Sequence, residues 1–388
     1  MKKITLTLFL VIFLTNGLVF AESTTGAHSE KTTYRYDIKR SGYSSLSIAP
    51  PFVLKWFYNT NPKKEFIFSP KISYSLVGEG NILYLGTLGN NFLAFDTVKK
   101  EYLWQYETYG IVQAGATIEG DRIFFGDSKG YFYCLNKNTG AIFWQNKYAN
   151  EILSSPLVVA DKIYFTDMDD SLYCISVDNG IIKWKVEIEN YLSNIVMRGS
   201  TSPSYNNGYI YQGFSDGYLY CFDANTSKEI FRKKVKENGK FTDVDAPPAI
   251  DGDVVYSSSF DGNFMAVKLT APETKWQIKI KGNGYPSYNK DSLIVSSTDG
   301  VLYKVDKEIG NIIWEKELSF DLTPPIVTDK YVFVASNDYF YVLDINSGEI
   351  LYKYEPGSGI SSELCLIDDN LYFMSNKGYL YCFKSKQL

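Results

Sequence analysis

The chain has 388 residues, a formal net charge of −5 at pH 7 and 16% aromatic residues. The acidic balance argues against a nucleic-acid partner, because proteins that bind nucleic acids present basic patches. The 32 Tyr, 25 Phe and 29 Gly are typical of many short strands joined by tight turns, and they argue against a long all-helical fold.

The N-terminus is predicted to be an export signal. Two lysines precede an apolar run over residues 4–20, and residues 19–21 (Val-Phe-Ala) form a small-x-small cleavage site. Cleavage after Ala21 makes residues 1–21 a signal peptide and residues 22–50 a linker, and a retained membrane anchor is the alternative. The first cysteine is Cys134, so the signal offers no cysteine for an N-terminal lipid.

An internal repeat is predicted to fill residues 51–388. One position is aromatic in each of eight copies, and we call this set the aromatic column: Trp56, Trp104, Trp144, Trp184, Phe231, Trp276, Trp314 and Tyr352. Successive members lie 38 to 48 residues apart, which is the period of propeller blades. The sequence therefore predicts an all-β fold, an eight-bladed β-propeller.

Each copy has the pattern of a four-stranded antiparallel blade. Residues 132–135 (Phe-Tyr-Cys-Leu) form an apolar strand of the repeat, and the turn Lys129-Gly130 ahead of it suits a two-residue hairpin. Seven of the aromatic positions lie eight residues after the end of such a strand, so we expect a hairpin of fixed length there.

The two ends of the repeat are predicted to complete each other. The eighth copy ends at Leu388 before its aromatic strand, whereas Trp56 appears before any complete blade. We therefore expect Leu54–Tyr58 to pair in the same sheet as Leu371–Phe383 and to close the ring.

Few residues have a pattern that indicates catalysis. The aromatic column recurs in every copy, so we interpret it as packing between blades and not as a series of ligand platforms. Four of the five cysteines share one repeat position with alanine and valine, which predicts small core residues and free thiols. The single histidine, His28, lies in the predicted linker. We therefore predict no catalytic residues, no cofactor and no metal.

The repeat resembles that of the pyrroloquinoline-quinone dehydrogenases. The resemblance is carried by Cys134-x-Asn136-x-x-x-Gly140-x-x-x-Trp144 and its copies. Those enzymes have an adjacent cysteine pair and calcium ligands near the quinone, and neither is recognisable here.

Two further segments resemble the signature loops of the BamB family, propeller subunits of the outer-membrane β-barrel assembly machine. They are residues 195–203 (Ile-Val-Met-Arg-Gly-Ser-Thr-Ser-Pro) and 242–248 (Thr-Asp-Val-Asp-Ala-Pro-Pro). The resemblance implies contact with the periplasmic domains of BamA through these residues: Ile195, Met197, Arg198, Asp243 and Asp245.

The repeat places the two loops on neighbouring blades. Arg198 precedes Pro203 by five residues, as Asp243 precedes Pro248, so we expect the arginine and the aspartates to be neighbours. An intramolecular salt bridge is the alternative to a direct partner contact. The 47 residues between Trp184 and Phe231 also leave extra loop at residues 187–200.

The resemblance implies a non-catalytic scaffold that binds a BamA-like periplasmic partner and other subunits of the assembly machine. The alternative is an enzyme or sensor that binds a quinone or sugar in the central channel. We expect an exported monomer in the periplasm, held at the outer membrane by its partner and not by its own lipid.

Overall fold

The computed structural model describes residues 32–46, 48–60, 75–87, 89–148, 150–188, 201–236, 243–357, 359–360 and 362–386. In these ranges, 32 strands form eight antiparallel sheets of four strands each, and no helix is present. The predicted eight-bladed propeller is therefore confirmed.

The first four blades are consecutive in sequence. Blade 1 comprises β2 (Val77–Glu79), β3 (Ile82–Thr87), β4 (Asn91–Asp96) and β5 (Glu101–Glu107). Blade 2 comprises β6 (Thr117–Glu119), β7 (Arg122–Gly126), β8 (Tyr131–Asn136) and β9 (Ile142–Lys147). Blade 3 comprises β10 (Leu157–Val159), β11 (Lys162–Thr166), β12 (Ser171–Ser176) and β13 (Ile182–Glu187). Blade 4 comprises β14 (Ser204–Asn206), β15 (Tyr209–Gly213), β16 (Tyr218–Asp223) and β17 (Glu229–Lys234).

The other four blades follow the same order until the last. Blade 5 comprises β18 (Ala249–Asp251), β19 (Val254–Ser258), β20 (Asn263–Lys268) and β21 (Thr274–Lys279). Blade 6 comprises β22 (Gly284–Tyr288), β23 (Leu293–Ser297), β24 (Val301–Val305) and β25 (Ile312–Glu317). Blade 7 comprises β26 (Ile326–Val327), β27 (Tyr331–Ala335), β28 (Phe340–Asp344) and β29 (Ile350–Tyr354). Blade 8 comprises β30 (Cys365–Ile367), β31 (Asn370–Met374), β32 (Tyr379–Ser385) and β1 (Phe52–Asn59).

Blade 8 closes the ring as the sequence predicted. Strand β1 pairs antiparallel with β32, and Trp56 lies opposite Cys382. The sheet order β1-β32-β31-β30 makes the N-terminal strand the outer strand of the C-terminal blade. Closure thus joins the two ends of the chain, which removes a free blade edge at the seam.

The third and fourth strands of each blade share one register. Cys134 lies opposite Trp144, Cys174 opposite Trp184 and Cys221 opposite Phe231, and a bulge follows each pair. The turn after the third strand ends on a left-handed residue, such as Gly140 at φ 70°. A Cβ on Gly140 would lie 2.7 Å from the Trp104 ring. The indole of blade 1 can therefore pack against this turn of blade 2 only because residue 140 is glycine.

Each blade has two ends, which we name for the loops they carry. The turn face carries the turns between the first and second and between the third and fourth strands. The connection face carries the turns between the second and third strands, such as Asp216-Gly217, and the links from one blade to the next.

Residues 32–46 lie in the central channel, on the side of the turn face. Backbone carbonyls of this segment accept hydrogen bonds from the first strands of the surrounding blades: Thr32 O from Ile118 N, Ile38 O from Tyr205 N, Lys39 O from Ile250 N and Ser41 O from Tyr288 N. Gly42 and Ser44 bond to Val327, and the Tyr36 hydroxyl bonds to the backbone of Leu366. These bonds join the described part of the predicted linker to six blades, and the Arg40 guanidinium adds blade 3 through Ser155 O and Pro156 O.

The five cysteines are buried, and none of them forms a disulfide bond. Burial raises the pKa of the Cys134 and Cys221 thiols to about 12 and that of Cys174 and Cys382 to about 11. Because the thiolate is the reactive form, native protein should resist alkylation at pH 8, whereas denatured protein should take up five labels without reductant. Mass analysis checks this, and any native disulfide would contradict the assigned positions in the core.

Candidate partner-binding site

Asp243 and Asp245 lie where the chain passes from blade 4 to blade 5, on the connection face. The side chain of Asp243 is buried, and its carbonyl accepts a hydrogen bond of 2.8 Å from Phe260 N in blade 5. Between the two aspartates, Val244 N donates to Phe214 O in blade 4 at 3.1 Å. The backbone that carries both carboxylates is thus fixed to two blades.

Close packing also holds this segment in place. A Cβ on Gly213 would lie 2.3 Å from the Val244 side chain, so the glycine permits the close approach. Val244 is 1% exposed and belongs to an apolar cluster shared by blades 4 and 5. The carboxylates on either side of it are therefore presented by rigid backbone.

A third carboxylate, Asp170 of blade 3, belongs to the same acidic group. Ser215 of blade 4 donates to it through its backbone N at 3.3 Å and through its hydroxyl. The pKa of Asp170 is raised to about 6, by burial first and then by the charges of Asp216 and Asp243, while the Ser215 hydrogen bonds act in the opposite direction. The pKa of Asp245 is raised well above its usual value by burial first and then by Asp243 and Asp170. We call Asp170, Asp216, Asp243 and Asp245 the acidic cluster.

The acidic cluster should make stability depend on pH. The folded pKa of Asp170 is about 6 and its ordinary value is 3.8, so folding favours the protonated form. The contribution of Asp170 to the free energy of unfolding is fully present below pH 3.8 and is lost as the pH rises through about 6. We expect Asp170→Asn to raise the free energy of unfolding at pH 8 by about 1–2 kcal/mol and to flatten its slope between those values.

Urea unfolding of both proteins across this pH range measures the effect. Asp223→Asn is the control, because the Thr226 hydroxyl and backbone N–H groups lower the pKa of that exposed carboxylate. Its loss should instead remove stability that is present above the ordinary pKa of an aspartate. A slope that Asp170→Asn leaves unchanged would show that this carboxyl titrates normally.

The structure brings Asp243 and Asp245 together, and the other predicted site residues, Ile195, Met197 and Arg198, lie outside the described residues. Their position beside the aspartates remains a prediction. Sequence analysis did not single out Asp170. The signal in the sequence is an aspartate at the hairpin-turn position that holds Gly130 in blade 2 and Gly217 in blade 4, and the structure gives this aspartate a positive φ of 55°.

A cavity of about 340 Å³ lies in the channel on the side of the connection face. Asp245, Asp321 and Glu363 line it together with Tyr34 and Tyr285. The Tyr34 hydroxyl bonds to Glu363, and burial raises the pKa of Tyr34 well above its ordinary value. In the described ranges no group of three or more His, Cys, Asp or Glu side chains is arranged to hold a metal ion. A search of the same ranges for helices long and apolar enough to cross a membrane finds none.

Comparison with known proteins gives a family match. The family model described as outer membrane protein assembly factor BamB matches residues 94–316. The BamB of Shewanella oneidensis is 26% identical over 204 residues, which are 49% of this chain and 50% of that protein. The BamB of Salmonella typhimurium is 26% identical over 289 residues, which are 72% and 73% of the two chains. The chain thus spans about half the length of the first curated relatives that it matches.

Solved structures share the fold. BamB from Moraxella catarrhalis superposes with a TM-score of 0.74 at 18% identity, over 86% of this chain and all of that one. A europium-containing methanol dehydrogenase gives the same TM-score of 0.74 at 13% identity, over 92% of this chain and 98% of that one. The fold alone therefore does not separate a scaffold from an enzyme.

Proposed function

The chain belongs to the family of outer membrane protein assembly factor BamB, and on that premise we propose that it is a non-catalytic scaffold of outer-membrane protein assembly. Two curated relatives that carry this name align with it at 26% identity over 204 and 289 residues. The proposal places the exported protein in the periplasm, at the outer membrane through its partner.

We further propose that the partner is a BamA-like periplasmic domain. Ile195 and Met197 supply apolar contact, Arg198 supplies a charge, and Asp243 with Asp245 forms the acidic side of the site. The observation that carries this proposal is the fixed presentation of Asp243 and Asp245 on the connection face. Their backbone is held by blades 4 and 5, so little conformational entropy is lost when a partner binds there.

The acidic cluster also explains why an arginine would be suited to this site. Burial and mutual repulsion raise the pKa of these carboxyl groups and disfavour their charged form. A nearby cation stabilises that charged form. Arg198 would provide that cation either within the chain or across the interface. The two roles differ in what the loss of Arg198 does to binding.

Arg198→Ala is expected to weaken binding of a BamA-like periplasmic domain about thirtyfold, since truncation at the centre of an interface costs about 2 kcal/mol. The melting temperature should stay within about 2 °C of the wild type. The double variant Ile195→Ala with Met197→Ala should weaken binding by a similar factor. Isothermal titration calorimetry with the purified partner domain, paired with thermal melting, measures both quantities.

Arg122→Ala is the matched control, because Arg122 begins strand β7 on the turn face of blade 2, where it pairs with Asp178 away from the acidic cluster. It should leave the affinity unchanged. If Arg198→Ala lowers stability by up to about 1 kcal/mol and leaves binding intact, the arginine is an internal bridge only. Unchanged affinity in both the single and the double variant would overturn the proposed interface.

A further inference from the structure

The aromatic column joins each blade to the next through a repeated hydrogen bond. The indole Nε1 donates to a backbone carbonyl of the following blade in five cases: Trp104 to Lys137 at 2.8 Å, Trp144 to Val177 at 3.0 Å, Trp184 to Ala224 at 3.2 Å, Trp276 to Lys307 at 2.9 Å and Trp314 to Ile345 at 3.3 Å. The acceptor is the residue after the third strand in four cases, Lys137, Val177, Ala224 and Ile345, and Lys307 lies at the equivalent repeat position. In blade 7 the Tyr352 hydroxyl donates to Phe52 O at 2.9 Å.

The boundary between blades 4 and 5 breaks this rule on both sides. Phe231 occupies the column position, opposite Cys221, but a phenyl ring has no N–H or O–H to donate. On the blade 5 side, Pro272 stands where blade 2 has Gly140. Both halves of the contact seen at the five boundaries therefore differ here.

A cavity of about 400 Å³ lies at that boundary, on the turn face. Tyr211, Cys221 and Phe231 line it from blade 4, and Asp253, Leu269 and Thr270 line it from blade 5. Tyr211 and Cys221 are buried, whereas Ile230 and Tyr209, which also line it, are 47% and 37% exposed. The cavity thus combines a buried apolar wall with residues that solvent reaches.

The backbone acceptor is retained although its donor is missing. Leu269 is the equivalent of Lys137, and its N–H donates to Asp253 O at 2.7 Å, as Lys137 N donates to Asp121 O at 2.9 Å. The same hydrogen bond therefore holds the turn in both blades. The Leu269 carbonyl has the position that takes an indole N–H at five other boundaries.

We propose that this cavity binds the side chain of a tryptophan from a partner polypeptide. At five other boundaries the equivalent carbonyl accepts a hydrogen bond from an indole N–H, and the cavity of about 400 Å³ beside Phe231 has room for an indole ring. Tryptophan is also the side chain that most often anchors protein interfaces, because it combines a large apolar area with one donor. The site lies on the turn face, opposite Asp243 and Asp245, and does not depend on the BamA-like interface.

N-acetyl-L-tryptophanamide is the probe for this site. It should bind saturably with a Kd of about 1 mM or below, as measured by ligand-observed NMR. N-acetyl-L-phenylalaninamide should bind at least about tenfold more weakly, because it cannot donate to Leu269 O. Free indole should bind no more tightly than the capped amino acid. Absence of saturable tryptophanamide binding, equal binding of the phenylalanine amide, or a clear preference for free indole would each overturn the proposal.

Two variants should block the cavity from opposite walls. Phe231→Trp places the chain's own indole there and should weaken tryptophanamide binding at least about tenfold. Thr270→Trp does the same from an exposed position on blade 5, where folding is not at risk. Asn138→Trp is the matched control, because the equivalent position on blade 2 faces a boundary that Trp104 already fills. If affinity is unchanged in Thr270→Trp, or if Asn138→Trp lowers it as much, the cavity is not the binding site.

Discussion

Replacement of Trp56 by alanine is expected to lower the free energy of unfolding by about 3–5 kcal/mol, the usual range for a buried tryptophan. Trp56 is 8% exposed, and its ring lies 5.9 Å from Phe95 in blade 1 and 6.1 Å from Tyr372 in blade 8. It therefore fills the boundary at which the two ends of the chain close the ring. The loss includes the cavity left between blade 1 and the closing strand β1 of blade 8.

Phe57→Ala is the matched control on the same strand. Its side chain points to the opposite side of β1 and is 58% exposed, although its ring lies 5.8 Å from Tyr381. Phe57→Ala should lower the free energy of unfolding by less than about 1 kcal/mol. Urea unfolding followed by tryptophan fluorescence and circular dichroism measures both variants. Equal losses in the two would contradict the closing role assigned to the buried face of β1.

The fold was predictable because it repeats. An aromatic residue at one position of eight copies needs the same surroundings each time, so one observation about Trp144 applied to every blade. The pairing that closes the ring was predictable for the same reason. The last copy of the repeat lacked its aromatic strand, and the strand that contains Trp56 had no blade of its own. Register followed as well, and Trp56 lies opposite Cys382 as Trp144 lies opposite Cys134.

The site was only partly predictable, because its residues meet across blades and outside the repeat. Asp243 and Asp245 were found by resemblance to a family loop. Their electrostatic interaction with Asp170 depends on how the loop to blade 5 packs on blade 4, and no spacing encodes that packing. The cavity beside Phe231 was hidden in a similar way, because phenylalanine satisfies an aromatic position in sequence without supplying the indole donor.

The central position of residues 32–46 had no sequence signal at all. The segment has no strand alternation and contains charged residues, which is the composition of a solvated linker. Its backbone nevertheless bonds to five blades, and the Tyr36 and Arg40 side chains bond to blades 8 and 3. The large buried cation of this segment, Arg40, is fully inaccessible to solvent. A lone charged residue in sequence does not reveal that neighbouring carbonyls will surround it.

Arg40→Met is expected to lower the free energy of unfolding by about 4 kcal/mol or more, because it removes the donor from several buried carbonyls at once. The guanidinium donates to Tyr34 O at 2.7 Å within the segment and to Pro203 O at 3.0 Å in blade 4. It also reaches Ser155 O and Pro156 O in blade 3 at 3.4 and 3.3 Å. Burial lowers its pKa to about 10, so the group stays charged at neutral pH.

Lys39→Met is the matched control, since the neighbouring side chain is exposed and only its backbone carbonyl bonds to Ile250. That substitution should change stability by less than about 0.5 kcal/mol. The free energy of unfolding of Arg40→Lys should lie between those of Arg40→Met and Lys39→Met. An ammonium keeps the charge but cannot bond at once to carbonyls of two blades and of the segment. Thermal melting and urea unfolding measure the series. If Arg40→Met stays within about 1 kcal/mol of the wild type, then the segment lies in the channel without holding blades 3 and 4 to each other.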